Sequence, residues 1–157
     1  MVSQQLSMGI RIDSVRFGAL ELDEEQLLEF PRGLIGIPGR RYALIDPNPD
    51  GAFRWLQSAE DAAFALPLVD PFAVQPSFAL NLDAADRERI GLEDLSQALV
   101  YVTVTASHDP AQTTANLRAP LVIWKQHGHQ VINSAPGAEL RAPLLRPRDE
   151  ATADTPR

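Results

Sequence analysis

The chain has 157 residues, 45% of them hydrophobic, which is enough for one domain with a real core. It contains no cysteine, so disulfide scaffolds, thiolate zinc sites and cysteine nucleophiles are excluded together. Its formal charge of −7 argues against direct binding of nucleic acid, because such binding rests on Lys and Arg displacing counterions from phosphates.

The charge is uneven. Residues 1–94 carry 16 acids against 8 bases, and residues 95–157 carry 5 acids against 6 bases. A basic protein partner would be steered toward the acidic half; the plainer reading is that the charge keeps the chain soluble. The first residues, MVSQQLSMGIRID, lack the basic start and apolar run of a secretory signal. No apolar stretch approaches the ~20 residues that span a bilayer, so the default compartment is the cytoplasm.

In chain order, MGIRIDSVRFG alternates apolar and polar and then shifts phase, which predicts a strand with a bulge or break near Asp13-Ser14. GALEL (18–22) continues as a hairpin. DEEQLLEF (23–30) fits either a helical turn capped by Asp23 or a strand entering the Pro31 turn. FPRGLIGIPG (30–39) is a turn-rich loop. RRYALID (40–46) is a strand, and DPNPDG (46–51) is a strong turn signal. FRWLQS and AFALPLVD are two strands joined by AED, with Pro67 pointing to an edge position or a bulge. FALNL is a further short strand. DAADRERIGLEDLSQ (83–97) is the one convincing helical region, with Asp83 as its N-cap and Gly91 interrupting it. ALVYVTVTA (98–106) is the clearest strand. NLRAPLVIWK and HQVINS follow as strands joined by a Gln-His-Gly turn. The pattern predicts an all-β, mainly antiparallel, barrel-like single domain over residues 1–145 with one short helical segment, because closure removes aggregation-prone edges. Residues 146–157, charged and proline-containing, read as a flexible tail.

The residues that carry chemistry point away from catalysis. His127 and His129 flank Gly128, but no further ligand completes a metal site, and exposed turn histidines are the better reading. There is no G-x-S-x-G elbow, and GLIGIPG lacks the lysine and the strand–loop–helix setting of a phosphate loop. No catalytic, cofactor or metal residue is assigned. Glu60 and Asp61 lie between two strands, where acids are ordinary turn residues. Trp55, Trp124, Phe53, Phe64 and Phe72 sit in apolar segments and read as core. Asn116, at the start of NLRAPLVIW, reads as an amide that ties down neighbouring backbone.

Several of these segments, taken in order, resemble the FliW-type flagellar assembly factors. FPRGLIGIPGRRYALI resembles the family's F-P-x-G-L-x-G-F loop, and FRWLQSAEDAAFALPLVDPF resembles its F-x-W-L-Q-S-x-E-D block ending in D-P-F. TTANLRAPLVIW resembles T-x-N-L-x-A-P-I-x-I-N, and HQVI resembles a short Q-V-I-L strand. Ile37 stands where an aromatic is usual, Trp124 replaces a polar residue, and the stretch after Val131 keeps only Arg141 and Pro143-Leu144. The resemblance runs from about residue 10 to 145. It implies a β-barrel-like fold, no enzymatic activity, and two protein partners: the RNA-binding regulator CsrA, which such factors antagonise, and flagellin, which competes for them. Trp55, Leu56, Phe64 and Leu66 are then framework. Glu60, Asp61, Asp70 and Phe72, with Asn116 and Arg118, are the candidate partner-binding residues on a factor expected to be a monomer when free. The open alternatives are a flagellin chaperone that does not bind CsrA and a small-ligand-binding barrel.

Overall fold

Strand formation follows the alternation in the sequence closely, and the strands pair edge to edge into a ring. The computed structural model describes residues 9–37, 39–48, 51, 53–91 and 94–144. The strands are β1 (Ile10–Ser14), β2 (Gly18–Leu22), β3 (Leu27–Glu29), β4 (Arg41–Ile45), β5 (Phe53–Ser58), β6 (Ala65–Val69), β7 (Leu99–Thr105), β8 (Thr114–Ala115), β9 (Leu121–Trp124), β10 (His127–Gln130) and β11 (Ala142–Pro143). Helix α1 is a single turn, Pro71–Val74, and α2 spans Ala84–Ile90. The order β7-β6-β5-β4-β3-β10-β9 returns to β7 through a β7–β9 pairing, giving a closed mixed barrel. Every junction in the ring is antiparallel except β3 with β10. The all-β, mainly antiparallel, barrel-like expectation is therefore what the structure shows.

A ring this narrow is filled by its own side chains. Phe30, Tyr42, Leu56, Leu68 and Leu121 are fully buried in one cluster, each contributing on the order of 1.5–3 kcal/mol by leaving water. Three further clusters lie against the outside of the wall. The β1–β2 hairpin sets Ile12 and Leu22 on Ala43 and Ile45. Helix α2 and the segment before it set Ile90 and Leu82 on Val122 and Val131. Val74 and Phe78 join Val102, Leu117 and Ala142.

Local differences from the sequence reading have physical causes. The break near Asp13-Ser14 is the end of β1, where the Ser14 hydroxyl accepts from the N–H groups of Arg16 and Phe17 and turns the chain. DEEQLLEF is both alternatives in succession, a 3-10 turn over Glu24–Gln26 and then β3. Gly91 ends α2 in the left-handed conformation (φ 75°) rather than interrupting a longer helix. FALNL forms no strand; its backbone is held by Asn133, which accepts from Asn81 N–H and donates to Ala79 O, both at 2.8 Å. The β9–β10 turn is Lys125-Gln126, both at positive φ, so His127 and His129 are strand residues and His129 is half-buried. Phe53 and Phe72 are 39% and 54% exposed and are not core. Pro67 is not in a bulge; β6 is an interior strand, but Pro67 pairs only with β5, and its other side is a locally open edge because β6 and β7 pair only at Leu68 and Val69. The tail at 146–157 lies outside the described residues.

Candidate protein-binding surface

The block FRWLQSAED builds a turn from the inside out. Gln57 is fully buried, and its Oε1 accepts from the Ser14 hydroxyl at 2.7 Å. Its Nε2 lies 3.1 Å from Ser58 O and 3.3 Å from Ala62 O. The buried Ser58 hydroxyl accepts from the N–H groups of Glu60 and Asp61. Both acids are thereby pushed to the surface, where each carboxylate still works for the fold. Glu60 accepts Arg40 N–H at 3.0 Å, and Asp61 accepts Ala63 N–H at 3.0 Å. Burial and the nearby Glu60 charge hold the Tyr42 phenol above its ordinary value. The β1–β2 turn is tied to this site by Val15 N–H donating to Ala62 O at 2.8 Å. Val15, 76% exposed, and the exposed Asp13 therefore lie beside the acidic turn.

Asp70 and Phe72 are elsewhere. They follow the far end of β6, about 17 Å from the acidic turn at ~3.4 Å per strand residue. Asp70 caps α1 by accepting Phe72 N–H at 2.9 Å, and the Phe72 ring meets Phe78 edge-on at 5.4 Å. With Leu99 and Tyr101 they line a concavity of about 520 Å³. On its lip, the Ser96 hydroxyl and N–H hold the Asp94 carboxyl below its ordinary value.

Asn116 and Arg118 form a third location. Asn116 Oδ1 accepts from the N–H groups of Arg118 and Ala119, the backbone-tying role expected of it. Arg118 is exposed, and its Nε donates to Ala138 O at 3.1 Å. The six candidates thus occupy three separate places and do not form one continuous rim. The sequence reading missed the apolar residues around the third, Ile35, Ile132 and Leu140, which are 61%, 54% and 53% exposed. Their one signal was apolar side chains in proline- and glycine-rich stretches with no strand to bury them. Among the described residues, no group of three His, Asp or Glu is arranged to hold a metal ion, and no helix is long and apolar enough to cross a membrane.

The family model described as FliW protein matches residues 11–144. The chain belongs to the FliW family. Flagellar assembly factor FliW of Moorella thermoacetica is 38% identical over 116 residues, covering 73% of each chain. That of Leptospira interrogans serogroup Icterohaemorrhagiae serovar Lai is 31% identical over 142 residues, covering 88% of this chain and 95% of its own. That of Bdellovibrio bacteriovorus is 38% identical over 113 residues, 71% of this chain and 65% of its own. A crystal structure of the flagellar assembly factor FliW superposes with a TM-score of 0.78 at 27% identity, covering 87% of this chain and 98% of the other. The acidic turn, the α1 concavity and the surface around Asn116 and Arg118 all fall inside the matched span.

Proposed function

We propose that this FliW-family protein is a non-enzymatic flagellar assembly factor of the cytoplasm. In this reading it binds CsrA, relieves CsrA repression of flagellin translation, and is occupied by flagellin when flagellin accumulates. The observation that carries the reading is the family match across residues 11–144. The charge supports it: 16 acids against 8 bases in residues 1–94 present a field that attracts a basic RNA-binding protein. Acids held beside an RNA path lower RNA affinity by repelling phosphates without filling the RNA site. The exposed pair Glu60 and Asp61, set on a rigid turn with Val15 beside them, is the surface best suited to that contact.

Titration calorimetry of the chain against CsrA from the same organism, repeated with flagellin present, tests the reading. Binding that flagellin abolishes supports the partner switch. Flagellin binding with CsrA silence leaves a dedicated flagellin chaperone. The double variant Glu60→Lys with Asp61→Lys is expected to weaken CsrA binding about tenfold at low salt. Its stability should stay within about 2 kcal/mol of wild type, the scale of the two turn hydrogen bonds. Unchanged affinity would move the CsrA contact off this turn.

A further inference from the structure

β6 and β7 pair only at Leu68↔Thr103 and Val69↔Val102. The phase of β6 explains the short ladder. Ser58 N–H donates to Phe64 O at 3.0 Å, and β5 and β6 continue in register from Gln57↔Ala65. Backbone groups alternate sides in an antiparallel pair. Leu66 and Leu68 therefore direct theirs toward β5, and Ala65, Pro67 and Val69 direct theirs toward β7. Pro67 has no N–H to give, so the ladder stops at the next bonding position. β7 continues past this point by pairing Val104 and Thr105 with β8 on its other side. The two strands diverge and leave a wedge in the barrel wall.

This wedge is a groove of about 380 Å³, lined by Leu34, Ile37, Leu66, Val104, Arg118 and Ile132 among others. Ile35, Ile132 and Leu140 on its margin are more than half exposed, a grouping unlike the scattered apolar residues of an ordinary surface. The groove is held in shape by Gln130, which accepts Ile35 N–H at 2.7 Å and donates to Ala119 O at 3.1 Å. Arg118 is the one ionised side chain lining it among the described residues. None of the ion pairs among those residues uses Arg118, and its bond to Ala138 O comes from Nε, leaving the terminal amino groups of the guanidinium to face a ligand. Arg118 and Ile132 stand between this groove and a neighbouring concavity that they also line, where Glu139 is the acidic residue; Glu139 does not line the groove itself.

We infer that the groove is a docking site for an apolar peptide segment that carries one carboxylate. Apolar side chains cover Ile35, Ile132 and Leu140, main-chain groups meet the unladdered edge at Val104, and the carboxylate pairs with Arg118. Charge complementarity selects this occupant. In a chain of net charge −7, an acidic segment is repelled by most of the surface and meets a cation, Arg118, as the one charged group among the described residues that line this groove. The site is distinct from the acidic turn and does not depend on the partners proposed above.

The test is fluorescence anisotropy with the full chain and two labelled peptides, SLIELIS and its counterpart SLIQLIS. The acidic peptide is expected to bind about fivefold more tightly than the neutral one. Arg118→Gln should abolish the preference, bringing the two peptides to equal affinity. Ile132→Asp, at an exposed position, should weaken both about tenfold with the circular dichroism of the folded chain intact. Absence of binding of either peptide to the wild type, or a preference for the acidic peptide that survives Arg118→Gln, would overturn the assignment.

Discussion

Where β3 meets β10 the wall leaves no space, and where β6 meets β7 it opens. At the first junction, Gly128 faces the barrel interior with the Phe30 ring against its Cα; an added Cβ would stand 2.4 Å from Phe30 Cε2. Beside this glycine lies the one parallel contact of the ring, His127↔Glu29. At the second junction, a proline occupies the position where a ladder donor is needed, and core residues such as Leu66 reach the surface. The comparison teaches that closure here is local. Side-chain packing seals one seam, and a missing N–H leaves the other available for a partner.

The largest effect tests the sealed seam. Gly128→Val forces branched carbon into the Phe30 ring and is expected to cost about 3 kcal/mol in urea denaturation, or to prevent folding. Wild-type stability would mean that Phe30 has somewhere to go and that the seam is not tight. Asn133→Ala follows. Asn133 is 1% exposed and serves Ala79 O, Asn81 N–H and Ala135 N–H. Removing it leaves buried backbone groups unpaired, with an expected loss of about 2 kcal/mol. A loss below half of that would show that water replaces the amide.

These two residues also show what the sequence could and could not convey. Strand positions were legible because alternation is local: RRYALID, FRWLQS and ALVYVTVTA each became a strand within a residue or two. The Glu60-Asp61 turn was legible as a turn for the same reason. Asn133 was not, because its partners at Ala79 and Asn81 lie more than fifty positions away and nothing near it signals them. The Arg118 groove was hidden for a related reason. It needs Ile35, Leu66, Val104 and Ile132 brought together by ring closure, and no stretch of sequence contains more than a fragment of it. Gly128 looked like a turn glycine beside two histidines; only the position of Phe30 reveals it as a packing residue.

His129 gives a smaller effect of known sign on the outside of the sealed seam. Burial, then the charges of Arg89, His127 and Arg32, lower its pKa below 6.5, against a raising contribution from Asp86. The unfolded chain therefore binds the proton first as pH falls. The stability contributed is fully present above 6.5 and is lost as pH falls toward the depressed folded value. His129→Gln removes this titration, so its denaturation midpoint should fall less than that of the wild type between pH 7.5 and pH 5. Parallel midpoints in the two proteins would mean that the imidazole is as free in the fold as out of it.

The smallest expected change bears most directly on the open seam. Pro67→Ala supplies the missing N–H opposite Val104 at a position whose strand dihedrals alanine adopts freely. The variant gives up the proline's restriction of the unfolded chain, about 0.4–1 kcal/mol. It gains one ladder bond, about 0.5–1.5 kcal/mol. These oppose each other, so net stability should move by no more than about 1 kcal/mol. Hydrogen exchange separates the terms that stability merges. Protection of the new amide at position 67 would show that the proline alone holds the wedge open, and the SLIELIS peptide should then bind more weakly as the groove narrows. Exchange at the rate of an exposed amide would locate the cause in β7, whose pairing with β8 at Val104 and Thr105 already draws it away from β6.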